Sequence, residues 1–294
     1  MDSVKKNRNK EQTISKKRED MKWYVWVCYR LGLALSSKDV LLSSGLMNWD
    51  REKLVTQYNA YQLYKDMKVI SAASILVYNI NENGELDTYK TNDTVIDAEG
   101  YQQLIQDNIH LKSYPCIYCD ATVGFCSGLN NRLLKLYPKK MEFLWNLTSK
   151  IRLFHWNAIV IDFEPDTDID WSLLTNFLID VASALQVVHV SLLVWVGSGT
   201  PYDLTLYRTN NLHVISMDTY VDSYVAFVHA AALLFSQTNN ISHTGVGLLS
   251  SNCMSEADML QTVLWIQVCQ VPLISLWSDN PNPFTLKALQ LYLR

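Results

Sequence analysis

Glycine and proline are scarce, with 10 and 7 positions in a chain of 294 residues. This low content excludes collagen-like, linker-like and low-complexity material. The chain also lacks the run of 18 or more apolar residues that a membrane-spanning helix needs, because Arg30 interrupts the most apolar stretch, residues 21–37. We therefore expect no integral membrane span. A conventional signal peptide is not expected either, since about twenty largely polar residues precede that stretch; a cytoplasmic chain and one secreted through an atypical or internal signal both remain open.

Metal-ligand patterns are missing as well. Cys116 and Cys119 have a C-x-x-C spacing, but they fall in a run that is typical of a strand, where residues three apart point to opposite faces. The six histidines show no ligand spacing. We expect no metal and no cofactor, and we interpret the six cysteines as small buried hydrophobic residues.

The charge is low and unevenly distributed. The formal net charge is −4, which disfavours nucleic acid as a partner. Residues 1–22 hold 8 Lys or Arg and 4 Asp or Glu with little to bury, which predicts a solvated basic tail. A weak contact of this tail with a membrane or nucleic acid is the alternative. The remaining residues, 23–294, are expected to form one domain, because the hydrophobic content of 49% suits a large globular core.

Short β-branched or aromatic runs alternate with longer amphipathic runs. Strands are predicted at 24–29, 74–80, 115–120, 158–163, 188–196, 213–218, 245–250 and 272–277, and helices at 51–67, 98–109, 133–153, 171–185, 224–236, 256–270 and 284–293. Eight alternating strands predict an α/β fold, a single (β/α)8 TIM barrel. A doubly wound open sheet is the alternative, which is disfavoured because no glycine-rich phosphate loop follows the first strand.

In such a barrel the chemistry lies at the carboxyl ends of the strands. Several of the predicted strands end in carboxylates or aromatic side chains, a mixture that suits sugar rings and their hydroxyl groups. The candidate glycan-binding residues at these ends are Tyr78, Asp120, Trp195, Trp277 and Asp279.

The fourth predicted strand carries two carboxylates in the sequence WNAIVIDFEP. Strand alternation places Asp162 and Glu164 on one face, with the bulky Ile159, Ile161 and Phe163 on the other. We expect the bulky face to contact the helices and both carboxylates to point into the barrel mouth. Two carboxylates this close raise each other's pKa, so one is expected to keep the proton that a general acid needs.

This segment resembles the fourth-strand signature D-x-x-D-x-D-x-E of glycoside hydrolase family 18, the chitinase and endo-N-acetylglucosaminidase group. The resemblance implies that Glu164 is the general acid/base and that Asp162 orients the acetamido group of the substrate. It also implies that the acetamido oxygen attacks the anomeric carbon, so that no protein nucleophile is needed. The chain departs from the signature at Asn157 and Val160, where the family has two further acids.

Two other strand ends bear on the resemblance. The sixth predicted strand ends in Met217-Asp-Thr-Tyr220 where the family has Met-x-Tyr-Asp, so Tyr220 or Asp218 is expected to reach the acetamido group. Direct alignment would instead put Thr219 there. The eighth strand ends in Trp277, where the family places the tryptophan under the sugar that is cleaved.

Three functions are consistent with these residues. The first is hydrolysis of a β-linked N-acetylglucosamine-containing glycan with retention of configuration. The second, motivated by Asn157, Val160 and the altered sixth-strand motif, is carbohydrate binding without catalysis. The third is hydrolysis of a different bond on the same scaffold, because barrels host many chemistries.

Overall fold

A computed structural model describes most of the chain beyond residue 37. The described residues are 38–44, 69–88, 90–91, 94–95, 101–102, 105–106, 111–120, 126, 128–165, 169–197, 202–203, 206, 209–238, 241–249, 254–277 and 282–293. The predicted basic tail and the predicted helix at 51–67 lie outside this set, as does most of the predicted helix at 98–109.

Eight parallel strands form a closed barrel. They are β1 (Asp39–Ser44), β2 (Ala72–Ile80), β3 (Cys116–Asp120), β4 (Ala158–Glu164), β5 (Ser191–Val196), β6 (Leu212–Ser216), β7 (Thr244–Leu249) and β8 (Leu273–Trp277). Each strand pairs with the next along the chain, and β8 pairs with β1 to close the ring. The short strand Leu86–Thr88 folds back antiparallel on β2. The predicted TIM barrel is therefore confirmed.

The first strand of the barrel is not where the sequence pattern put it. The predicted strand at 24–29 lies outside the described residues, and the position between β8 and β2 is filled by Asp39–Ser44. Asp39 is in register with Leu273 on one side, and Leu41 is in register with Ala72 on the other. This segment becomes a strand because it pairs with β8 and β2, which lie elsewhere in the sequence. Its own residues do not show a strong local preference for a strand.

A polar cluster secures the amino end of β1. Lys112 Nζ lies 2.8 Å from both carboxylate oxygens of Asp39, and the Ser71 hydroxyl donates to the same carboxylate at 3.0 Å. The Tyr114 hydroxyl lies 3.4 Å from Asp39, and burial together with this carboxylate raises the pKa of Tyr114. The cluster ties β1 to the chain segments before β2 and β3.

Five helices of the described residues surround the barrel. They are α1 (Tyr137–Phe154), α2 (Trp171–Val187), α3 (Tyr224–Thr238), α4 (Glu256–Val268) and α5 (Pro283–Tyr292), each within a few residues of its predicted range. Side chains cap two of them: Asp170 accepts from the Leu173 N–H at 3.0 Å, and the Ser255 hydroxyl accepts from the Asp258 N–H at 3.1 Å. Among these helices none has the length and apolarity that crossing a bilayer requires.

The strands bury two different apolar layers. The outer layer, between barrel and helices, contains Ile159, Ile161 and Phe163, whereas Ala158 and Val160 belong to a smaller cluster inside the barrel. The alternation predicted for the fourth strand is therefore confirmed. It directs the next residue of the inner series, Asp162, into the barrel.

Candidate functional site

Asp162 lies near the carboxyl end of β4 with only 4% of its surface exposed. Its register partner on β3 is Tyr118, and one step deeper Val160 is paired with Cys116. Val160 is fully buried, so the position where the family signature has an inner acid is occupied here by an apolar side chain. The inner face around Asp162 is thus built from Tyr118, Cys116 and Val160.

Glu164 is the last residue of β4, and its side chain is exposed. The sequence predicts that both carboxylates point into the barrel mouth; Asp162 is enclosed, whereas Glu164 extends past the buried part of the strand. Asp162 is buried and Glu164 is solvated, so the two groups lie in different environments. Asp120, the register partner of Glu164, ends β3 beside it, but the side chain of Asp120 lies outside the described part of the chain.

Three aromatic side chains, from β5, β8 and the turn after β6, meet near the carboxyl end of the barrel. The ring of Trp195, on the inner face of β5, lies 5.6 Å from the Tyr220 ring and 6.4 Å from the Trp277 ring, the latter in a perpendicular arrangement. Trp195 is buried, and Trp277 is partly exposed at the end of β8. These rings form an aromatic surface of the type on which sugar rings stack.

Tyr220 follows the 3-10 turn Met217–Thr219 after β6 and packs on the inner cluster. Its hydroxyl oxygen is buried and has no hydrogen-bond partner among the described residues. Burial raises the pKa of Tyr220 well above its ordinary value, and the nearby Asp162 carboxylate raises it further. A protonated phenol close to Asp162 is therefore available to donate to a ligand in the mouth.

Thr219 and Asp218, which lie in the turn itself, make different contacts. Thr219 is fully buried and its hydroxyl bonds to main-chain groups, so it does not occupy the position that direct alignment would give it. The Asp218 N–H donates to the Ser216 hydroxyl at 3.2 Å, and the Asp218 carboxylate faces the end of β5, where a Cβ on Gly197 would lie 3.7 Å from Oδ1. Asp218 thus sits at the rim between β5 and β6.

Tyr78 does not join the mouth. A bulge shifts the register of β2 against β3, so that Leu76 pairs with Cys116 and Tyr78 pairs with Ile117. The extra residue turns the Tyr78 ring into the outer layer, where it lies 5.9 Å from the Trp156 ring and Lys150 Nζ lies 5.0 Å above it. The expectation that Tyr78 lines the glycan cleft is therefore not met. Asp279 lies outside the described residues.

The cysteines are only in part the buried thiols that the sequence suggested. Cys116, inside the barrel, is a buried free thiol whose pKa is raised by burial and by Asp162. Cys119, on the outer face of the same strand, forms a disulfide with Cys126, and Cys269 is also disulfide-bonded. Cys126 Sγ lies 3.8 Å from the main-chain oxygen of Glu164, so the Cys119–Cys126 bridge flanks the end of β4.

A cavity of about 200 Å³ opens at the amino end of the barrel, at the opposite end of the strands from Asp162 and Glu164. Its polar lining includes Asp39, Lys112, Ser191 and His213. TIM-barrel chemistry is found at the other end of the strands. We therefore assign this cavity to the polar cluster at the amino end of β1 and not to an active site. In the described part of the chain no group of three His, Cys, Asp or Glu side chains is arranged to hold a metal ion.

Sequence reasoning missed two neighbours of Asp162, namely Tyr118 and Cys116. Both lie on the inner face of β3 and contact the inner cluster. The alternation that located Asp162 would have found them too, since residues 116, 118 and 120 share one face of a strand.

Comparison with known proteins supports the fold. No protein-family model matches the chain, and no curated protein matches it in sequence. A chitinase from Chromobacterium violaceum has a similar structure, with a TM-score of 0.68 and 11% identity over 87% of this chain and 99% of that one. The family 18 chitinase ChiB of Flavobacterium johnsoniae has a TM-score of 0.65 and 10% identity over 88% of this chain and 94% of that one.

YKL-39, whose structures were solved in the presence of chitooligosaccharides, gives a TM-score of 0.64 and 10% identity over 87% of this chain and 99% of that one. These matches cover nearly the whole barrel at very low identity. The chain therefore adopts, in divergent form, the (β/α)8 fold of the family 18 chitinases and chitinase-like proteins.

Proposed function

We propose that the chain hydrolyses a β-linked N-acetylglucosamine-containing glycan with retention of configuration. In this proposal Glu164 is the general acid/base, Asp162 orients the acetamido group, and Tyr220 donates a hydrogen bond to it. Trp277 and Trp195 provide the aromatic surface under the sugar.

One observation carries the proposal: the buried Asp162 carboxylate and the unsatisfied Tyr220 hydroxyl lie close together in the mouth of the barrel. An acetamido group matches this pair, because its N–H can donate to the carboxylate while its carbonyl oxygen accepts from the phenol. A ligand that bonds to both groups gains affinity that a sugar without the acetamido group does not.

The resemblance to family 18 implies the reaction that we propose. Glu164 gives its proton to the glycosidic oxygen as the bond to the anomeric carbon breaks, and the acetamido oxygen attacks that carbon from the opposite face. The product is a cyclic oxazolinium, with the leaving sugar released as an alcohol. Glu164, now ionised, takes a proton from a water molecule that attacks the same carbon, and the acetamido group and the acid are both restored.

The exposure of Glu164 is compatible with this role. A glycan that binds across the carboxyl end of β4 would cover the side chain and exclude water from it. Desolvation favours the protonated form of a carboxylic acid, so the substrate itself would help to keep the proton in place.

Replacement of Glu164 by glutamine tests the proposal. We expect E164Q to abolish turnover of a chitobiose-type substrate while leaving the folding transition unchanged, because a positioned acid contributes on the order of 10² to 10⁴ in rate. Glu142→Gln, at an exposed carboxylate on the outer helix α1, is the matched control and should turn over normally. Equal activity in wild type and E164Q would refute the assignment.

Substrate choice and stereochemistry give a second test. The wild type should cleave the N-acetylated substrate, leave its de-N-acetylated analogue intact, and release the β-anomer first, as seen by proton NMR. Binding of chitooligosaccharides without released reducing ends at high protein concentration would show instead a carbohydrate-binding barrel. Cleavage of both substrates would point to a hydrolase that does not use the acetamido group.

A further inference from the structure

We infer that Thr219 and Gly247 are positioning residues that together fix Tyr220 in the mouth of the barrel. The inference rests on the proposed function for its kinetic consequences. Its structural content, that two residues outside the mouth set the place of one ring, can be measured without a substrate.

Thr219 anchors the turn that precedes Tyr220. The regular β6–β7 ladder ends at the pair Ser216 and Val246. Beyond it, the Gly247 N–H donates to the Thr219 hydroxyl oxygen at 2.8 Å, and this oxygen lies 2.9 Å from the Gly247 carbonyl and 2.8 Å from the Ser216 carbonyl. One hydroxyl thus extends the pairing of the two strands by one step, and Thr219 is fully buried there.

Gly247 supplies the space for the ring. A Cβ at this position would lie 2.5 Å from Tyr220 Cε1 and 2.9 Å from Cζ, and 3.0 Å from the main-chain oxygen of Ser216. The Tyr220 ring therefore lies against the main chain of β7, and the buried Trp195 ring lies 5.6 Å from it. Because a Cβ on Gly247 would lie within 3.0 Å of two ring atoms, an added side chain must displace the ring.

The two contacts act on the same group from different directions. The Thr219 hydroxyl holds the turn so that residue 220 enters the barrel, and Gly247 leaves space for the phenol ring. Tyr220 thereby packs on the inner cluster near Asp162, although the order of residues in this turn differs from the family motif.

Substitutions at both positions test the inference. We expect Thr219→Val and Gly247→Ala each to lower kcat/KM for the chitobiose-type substrate on the order of 10²-fold, because small displacements of a positioning group have effects of this size. Thr219→Ser keeps the hydroxyl and should retain activity. The controls are Thr244→Val, which removes a fully buried hydroxyl on β7, and Gly245→Ala, where the three atoms nearest to an added Cβ belong to the side chains of Ile215 and Leu273.

A double-mutant cycle separates positioning from general damage. If Thr219 acts through Tyr220, then T219V in a Tyr220→Phe background should cause little further loss of kcat/KM. Losses that multiply in the double variant would overturn the inference, as would unchanged activity of both T219V and G247A.

Spectrophotometric titration of the tyrosines does not depend on turnover. The difference between wild type and Tyr220→Phe isolates Tyr220, whose phenol should resist ionisation in the wild type and in T219S and ionise at lower pH in T219V and G247A. If the wild type cleaves no glycan but the titration shifts as stated, the proposed function fails and the positioning role stands. An unshifted titration in both variants would disprove the positioning role.

Discussion

Replacing His213 by glutamine is expected to remove an acid-sensitive part of the stability of the barrel. His213 lies near the amino end of β6, and its ring stacks on that of His243 with centroids 5.0 Å apart and an interplanar angle of 20°. His243 Nδ1 lies 3.2 Å from the Leu212 carbonyl oxygen. The carboxylate of Asp39, which binds Lys112, lies near enough to His213 to affect its charge.

Burial of His213, and the proximity of His243, lower the pKa of His213 from 6.5 to about 4, with Asp39 opposing the shift. The unfolded chain therefore binds more protons than the folded chain between these two values, and folding stability rises with pH across this window. This contribution to the free energy of unfolding is fully present above about pH 6.5 and is lost as pH falls to about 4. The loss at pH 4 amounts to about 3 kcal/mol.

Urea unfolding, followed by tryptophan fluorescence at several pH values in this window, gives the test. The loss of unfolding free energy between the two ends should be smaller by about 3 kcal/mol in H213Q than in the wild type. His243→Gln should remove a smaller part, because burial is the larger cause, and His229→Gln on the exposed face of α3 is the control. Identical pH profiles for wild type and H213Q would refute this reasoning.

Substitutions at three further places test what stabilises the barrel, again by urea unfolding. Ile161→Ala, in the outer layer, should cost about 2–5 kcal/mol because the residue is fully buried, whereas Ile161→Val should cost much less; equal costs would argue against tight packing there. Tyr292→Phe removes a 2.8 Å hydrogen bond to the Val271 carbonyl and should cost about 1 kcal/mol, and no change would show that water replaces it. The double variant Cys119→Ala/Cys126→Ala should lose about 2–3 kcal/mol, and thiol counting on denatured, unreduced wild type would contradict the bridge if both cysteines react.

Much of the barrel could be predicted because its seven later strands are short apolar runs in a sequence that alternates them with longer amphipathic runs. Their periodicity is a local property, so the pattern located Ala158–Glu164 and the strands after it to within a few residues. The first strand, Asp39–Ser44, could not be found this way. Its sequence DVLLSS is less strand-like than the aromatic run before it, and its place depends on pairing with β2 and with β8, which lies more than 200 residues away.

The site was predictable as far as strand alternation holds. The position of Asp162 inside the barrel could be predicted because it lies two residues after Val160, and the inner face of β4 was correctly assigned. Tyr78 fails because a bulge adds one residue to β2, which parity counting does not detect. On β6 the sequence left Tyr220 and Asp218 as alternatives; the structure shows Ile215 inside and Val214 outside, and the 3-10 turn then brings in Tyr220.

The Cys119–Cys126 bridge was outside the reach of the sequence, because spacing alone does not fix connectivity among six cysteines. Its presence has a practical consequence for how the chain should be made. Disulfides form and persist in the endoplasmic reticulum or the bacterial periplasm, and glutathione and thioredoxin keep such thiols reduced in the cytosol. Material purified from a reducing host would lack the covalent link that flanks Glu164, so export to an oxidising compartment is the appropriate route of production.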